Sequence, residues 1–201
     1  PDLMIGASSV RLDGLVYRIH VDLADEKGRR ANGDLTIQAS AGRLVPPAEI
    51  TGARGWRTGY VVPVMSGPLD GALTVAGESV SLAGGTGYHD HNWGFWKGVT
   101  WQWGQAQHGD VSLIYGRIFP PPDAADPERL PGFVGVLGPD GPLGYATDVR
   151  ITETNDDRGE PRSIAIGARG TYLTLDMRFD VASTVRTQRT QGPLFNGVNF
   201  L

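Results

Sequence analysis

The chain has 201 residues, 22 acidic against 18 basic, a formal net charge of −4 and no cysteine. A chain of that length buries roughly 70% of its unfolded surface and needs no disulfide or metal staple. Thiol catalysis, iron–sulfur clusters and Cys-type zinc sites are excluded, the lack of a clustered basic run disfavours nucleic acid, and no apolar stretch approaches the ~18 residues of a membrane-spanning helix.

Glycine (29) and proline (14) are scattered between short runs of Val, Ile, Leu, Thr and Tyr, the pattern of an all-β chain with many turns. Residues 9–23 alternate and slip at Gly14, which predicts two strands, or one bent strand, with Gly14 at a turn or bulge. Asp25–Gly33 reads as a polar turn and Leu35–Ala39 as a strand. Gly42–Gly55, with Pro46-Pro47, reads as loop, and Arg54, Trp56 and Arg57 read as solvated rather than as the edge of a pocket mouth. Strands follow at Thr58–Met65, Gly71–Ala76, Ser79–Leu82, Thr86–Trp93, Val99–Gln107 and Val111–Phe119, with a turn at His108-Gly109-Asp110. Pro120–Pro131 is an acidic, proline-rich loop. Further strands are expected at Phe133–Leu137, Leu143–Thr152 and Ser163–Ala168, with a polar turn at Asn155–Glu160. In Tyr172–Val185, Leu173, Leu175, Met177, Phe179 and Val181 share one face. No helical period and no internal repeat are visible. A sequential meander of this kind predicts an antiparallel up-and-down barrel over 1–185, whose closure removes exposed sheet edges. Residues 186–201 read as a linker or the start of a second barrel.

Three of the four histidines and four of the five tryptophans lie between Tyr88 and His108. In an extended Tyr88–Trp93, His89, His91 and Trp93 share one face, and Tyr88, Asp90 and Asn92 the other. Trp101 and Trp103 share a face, with Gln102 opposite. The tight connection Gly94-Phe95-Trp96-Lys97-Gly98 predicts that these two strands are antiparallel neighbours, placing imidazoles beside indoles. Such an aromatic wall with embedded donors and acceptors suits an apolar small molecule with a few polar handles.

His89, Asp90 and His91 are the candidate catalytic residues. Imidazole exchanges protons near neutrality, and an aspartate can orient it or, when desolvated, donate. Tyr88, Asn92, Trp93, Trp96, Trp101, Gln102 and Trp103 are the candidate substrate contacts, since indole faces stabilise a carbocation by about 0.5–2 kcal/mol each. Together they suit hydration or ring closure at a carbon–carbon double bond; carriage of an apolar ligand without chemistry is the alternative. The plainer reading of the same residues is core packing and structural hydrogen bonding. Histidines at i and i+2 can chelate a metal, but no third ligand follows from spacing, and none is expected. Gly84-Gly85-Thr86-Gly87 lacks the Lys-Ser/Thr of a phosphate loop, so no nucleotide cofactor is expected.

The run from Gly71 to Gly104 pairs Gly71, Leu73, Val75 and Gly77 with GTGYHDHNWG and then WQWG. It resembles the hydroxyneurosporene synthase / carotenoid 1,2-hydratase-like superfamily, which includes lipocalin-like Diels–Alderases. The resemblance extends over residues 8–185, and only the central motif is specific. It implies a lipocalin-like (calycin) barrel, a second such domain as partner, and a terpenoid, polyene or polyketide-like substrate. It places Tyr88 to Trp93 in the family motif. It implies activity less strongly, because the superfamily hosts hydratases, pericyclases and proteins without known chemistry.

Overall fold

The computed structural model describes residues 2–95, 98–126, 132–186 and 199–200. They form strands throughout, with a single 3-10 turn at Ala53–Gly55. Among the described residues no helix is long and apolar enough to cross a membrane. The chain divides into two compact units, residues 1–130 with 135–143, and residues 131–134 with 144–201.

The first unit begins with β1 (Asp2–Ile5), β2 (Ser8–Asp13) and β3 (Val16–Ala24), so the slip at Gly14 is a hairpin turn with a φ of +61°. β4 (Arg30–Gln38) starts earlier than its apolar run suggests. The segment read as a proline loop is instead β5 (Val45–Thr51), at the end of the sheet's strand order, with a register shift between Val45 and Ala48. Prolines are tolerated there because an edge or bulged strand does not need every N–H. The two strands expected at Thr58–Met65 and Gly71–Ala76 are one strand of 19 residues, β6 (Arg57–Val75). β7 (Glu78–Ser81) and β8 (Gly85–Phe95) also pair with β6. The result is an eight-stranded antiparallel sheet, β1-β2-β3-β4-β6-β5 with β7 and β8 branching from β6. This order is not the sequential meander read from the chain.

Alternation sorts this sheet into two faces. Cross-strand partners Leu12, Tyr17, Ile37 and Leu69 follow one another on one face, beside Val10, Ile19 and Leu35. Arg11, Arg18, Thr36 and Asp70 do so on the other, beside Ser9, His20 and Asp34. Ile37, Ala39 and Val64 are buried on the apolar face, with Tyr17, Ile19 and Leu69 packed against them. That face is the concave one. In a flat sheet β3 and β8, three strand spacings apart, would lie about 14 Å from each other. Yet the rings of Tyr17 and His89 meet at 4.5 Å between centroids. The sheet therefore curls into a half-barrel toward this side. Gly87 permits the close approach, because a Cβ there would lie 2.7 Å from Ile37 Cγ1.

β9 (Thr100–His108) and β10 (Val111–Phe119) form a second sheet with β11 (Phe133–Gly138) and β12 (Gly141–Ala146), in the order β12-β11-β10-β9. β6 and this sheet are joined by polar contacts. Ser112 Oγ and Ser66 Oγ lie 2.8 Å apart, both buried, and Gln105 Nε2 donates to the Met65 carbonyl at 3.3 Å. Val62, Met65 and Ile114 are fully buried. The expected strand Leu143–Thr152 is two, because Thr147 bends the chain between β12 and β13 (Asp148–Asn155).

The second unit carries β13, β14 (Pro161–Arg169) and β15 (Thr174–Asp180) as a three-stranded sheet. Leu175, Met177 and Phe179 oppose Ala168, Ile166 and Ile164, as the alternation required. A two-stranded pair, β16 (Val185–Arg186) and β17 (Asn199–Phe200), completes it.

Candidate functional site

β8 carries the histidine-rich motif, and its pairing differs from expectation. Its ladder partner is β6, while β9 pairs with β10. The two strands are thus consecutive but not hydrogen-bonded neighbours, and the imidazoles and the β9 indoles do not pair across one ladder. The connection is not a two-residue hairpin turn, so nothing in it forces pairing. Each face of β8 builds its own cluster.

On the concave face, His89 is half-buried and sits edge-on to Tyr17, beside the apolar cluster. Burial pushes its imidazole below the usual 6.5; the Asp90 carboxylate pulls the other way, and His91 adds to the lowering. The ring is therefore neutral near pH 7. His91 is exposed and stacks on Trp93, with centroids 5.8 Å apart and planes 23° off parallel. Trp93 lies directly over Gly59, where a Cβ would fall 1.9 Å from Cε2, and donates from Nε1 to Glu49 Oε2 at 2.9 Å.

On the opposite face, Tyr88 and Asp90 join Tyr60 of β6 and Trp103 of β9. Trp103 Nε1 donates to Tyr60 Oη at 3.0 Å, the Tyr60 and Tyr88 hydroxyls are 3.0 Å apart, and Tyr88 donates to Asp90 Oδ2 at 3.2 Å. An indole N–H only donates and a carboxylate only accepts, so the ends fix the direction. Tyr60 gives its proton to Tyr88, and Tyr88 gives its own to Asp90. Burial, the largest cause, pushes Tyr60 up to about 12 and Tyr88 higher still, so both phenols stay neutral. Trp103 also tilts against Tyr88 with ring centroids 5.4 Å apart.

His89 and His91 thus share a face with Trp93, and Asp90 lies on the other side of the strand with Tyr88. Asn92 is exposed and opposes Tyr60 in the ladder. Trp101 and Trp103 are 48% and 40% exposed, too open for core packing. Gln102 opposes Arg117, on the face of β9 turned away from Trp103. Trp96 lies outside the described residues. Tyr17, Glu49 and Tyr60 were not singled out from the sequence; only strand register brings them to β8. Trp56 is buried, 6% exposed, contrary to its reading as a solvated loop residue.

The polar face of the large sheet holds an open concavity of about 700 Å³ that includes Arg11, Arg18, His20, Asp34 and Asp70. There His20 Nδ1 and Asp34 Oδ1 lie 2.8 Å apart, both exposed. Among the described residues no group of three or more His, Asp or Glu is placed to hold a metal ion. No protein-family model, no curated protein and no solved structure matches this chain.

Proposed function

We propose that this chain binds an apolar small molecule of terpenoid, polyene or polyketide-like type against the concave face of its large sheet, as a lipocalin-like barrel does. One observation carries the reading: the concave face is apolar but incompletely covered. Val10, Leu12, Tyr17, Ile19, Leu35 and Leu69 are all only half-buried along it. Burying apolar area stabilises by roughly 25 cal/mol per Å², so an apolar ligand laid along this face gains what the fold leaves unclaimed. His89 and Trp93 border the face with one polar handle and one large ring. The resemblance of Gly71–Gly104 to the carotenoid hydratase-like superfamily points to the same substrate class.

Turnover by hydration or cyclisation of a carbon–carbon double bond, without a cofactor, falls on His89. The protonated imidazole gives its proton to one carbon of the double bond, and water, or a second double bond, adds to the resulting carbocation and a proton returns to the ring. Carriage without chemistry is the second reading, and one observation favours it: the Asp90 carboxylate, on the face of the strand away from the imidazoles, is engaged in accepting from Tyr88.

The test is mass spectrometry of apolar molecules that copurify with the protein, followed by incubation with farnesol. Binding predicts saturable quenching of tryptophan fluorescence. Turnover predicts a product heavier by one water, or an isomer, and its loss in His89→Ala with binding retained. Farnesol recovered unchanged leaves carriage, and no quenching by any apolar ligand removes both readings.

A further inference from the structure

The polar face of the large sheet, on the side away from the proposed ligand face, carries a cross-strand row of different chemistry. Ser9 of β2 is the ladder partner of His20 of β3, and His20 is the partner of Asp34 of β4. Partners in an antiparallel ladder share a face, with Cβ atoms about 4.5–5.5 Å apart. A hydroxyl, an imidazole and a carboxylate therefore stand in that order across three adjacent strands. All three residues line the open concavity of about 700 Å³.

The hydrogen bonding sets the imidazole for one task. His20 Nδ1 lies 2.8 Å from Asp34 Oδ1, and a carboxylate only accepts, so Nδ1 carries the proton. In the neutral ring Nε2 is then the acceptor. The two nitrogens of an imidazole point in nearly opposite directions, so Nε2 is turned away from Asp34, and Ser9 flanks the ring on that side. Ser8 Oγ is tied to the Asp22 carbonyl at 3.2 Å. The Ser9 hydroxyl has no hydrogen-bond partner among the described residues and is free to turn to Nε2. A bond between nucleophile and base is often long until substrate is bound. Arg18, two residues before His20 and on the same face, adds a positive charge held only loosely, by Asp13 at 3.8 Å.

We infer that Ser9, His20 and Asp34 form a second site, which hydrolyses small carboxylic esters. Ser9 Oγ attacks the ester carbonyl carbon while His20 Nε2 takes its proton. The Arg18 guanidinium stabilises the oxyanion that forms. The bond to the alcohol oxygen then breaks as His20 gives that oxygen the proton, and the acyl group stays on Ser9. Water, losing a proton to His20, cleaves the acyl-serine; the proton returns to Ser9 Oγ as the carboxylic acid leaves. Asp34 is a positioning residue, holding the tautomer and the orientation of the ring. Its side chain is 85% exposed and that of His20 47%, so solvent screens their attraction and turnover is slow.

The test uses the full chain with p-nitrophenyl acetate as substrate and a fluorophosphonate as a covalent probe of nucleophilic serines. The expected result is catalytic turnover of the ester, with the probe located on Ser9 by tandem mass spectrometry. Ser9→Ala and His20→Gln are each expected to lower kcat/KM by at least about tenfold and to abolish the labelling. His108→Gln removes an exposed imidazole outside the row and leaves both unchanged, which separates a built site from the slow reaction that any surface imidazole supports. Asp34→Asn is expected to lower kcat about fivefold with KM unchanged, a split that a merely structural carboxylate would not produce. Labelling of the unaltered chain needs no variant, so it decides the matter even where a variant fails to fold. No probe on Ser9, equal labelling of other serines, hydrolysis unchanged in Ser9→Ala or His20→Gln, an equal loss in His108→Gln or an unchanged kcat in Asp34→Asn would each overturn the inference.

Discussion

Adjacent residues of β8 do opposite things, and each has a pH signature. The folded imidazole of His89 is held below the 6.5 of its unfolded form. Between those two values the unfolded chain binds more protons, so stability falls as pH drops from above 6.5 through the folded pKa. His89→Gln is expected to flatten that slope in urea midpoints measured across the window; an unchanged slope means His89 is not desolvated. Tyr60 gives the opposite sign. Its phenol is raised from 10.0 to about 12, so its contribution is complete below 10 and is lost as pH rises toward 12. Tyr60→Phe removes two hydrogen bonds, leaves Tyr88 bonded to Asp90, and is expected to cost about 1 kcal/mol near neutrality. It should also remove the phenolate absorbance phase near 12 while the still higher phase of Tyr88 remains; survival of the phase near 12 would assign it to another tyrosine. Alternation alone told the faces of β8 apart, since it needs only the two-residue period. Tyr60 was hidden because it enters through the register of β6 against β8, which no local pattern encodes.

Strands and turns differ in how openly their sequences speak. The polar turns Asp25–Arg29 and Asp156–Glu160 share one chemistry: the aspartate Oδ1 accepts two backbone N–H groups, and Oδ2 accepts from Arg29 Nε or Arg162 Nη2. Both carboxyls are held below their ordinary range by these bonds. Such turns are legible because the side chain bonds its own neighbourhood. β5 and β6 were misread for the converse reason. Prolines and glycines that signal a break locally are accommodated by an edge position in β5 and by ladder shifts between Val61, Val64 and Gly67 in β6. Gly59 tests the element directly. Its missing side chain is where the Trp93 ring lies, so Gly59→Ala must expel the indole and break its bond to Glu49. Overpacking of this kind costs about 1–3 kcal/mol. The expected outcome is a lower urea midpoint, an unchanged m-value and tryptophan emission shifted to the red. Wild-type stability and emission would mean that Trp93 does not rest on Gly59.

At the scale of the whole chain, the all-β character follows from glycine and proline punctuation between β-branched runs, but the arrangement of sheets does not. One 19-residue strand serves four neighbours, and this branching depends on which edge of β6 each strand finds. The curl of that sheet leaves an apolar face that only half satisfies the drive to bury it, and this has a thermodynamic consequence. A ligand that binds the folded state alone stabilises it by RT ln(1 + [L]/Kd), about 2.7 kcal/mol at a hundredfold excess over Kd. For a chain of this size each kcal/mol raises Tm by roughly 2–4 °C. All five tryptophans belong to the first unit, and the second has none. Tryptophan fluorescence therefore reports the unit that carries the concave face, while far-ultraviolet circular dichroism reports both. Farnesol is expected to raise the fluorescence-detected Tm by several degrees. If the units unfold separately, the dichroism curve should split, with only the fluorescent phase moving; if they unfold together, both curves should move alike. A saturating apolar ligand that leaves the fluorescence-detected Tm where it was would mean that the concave face binds nothing, because binding confined to the folded state cannot fail to stabilise it.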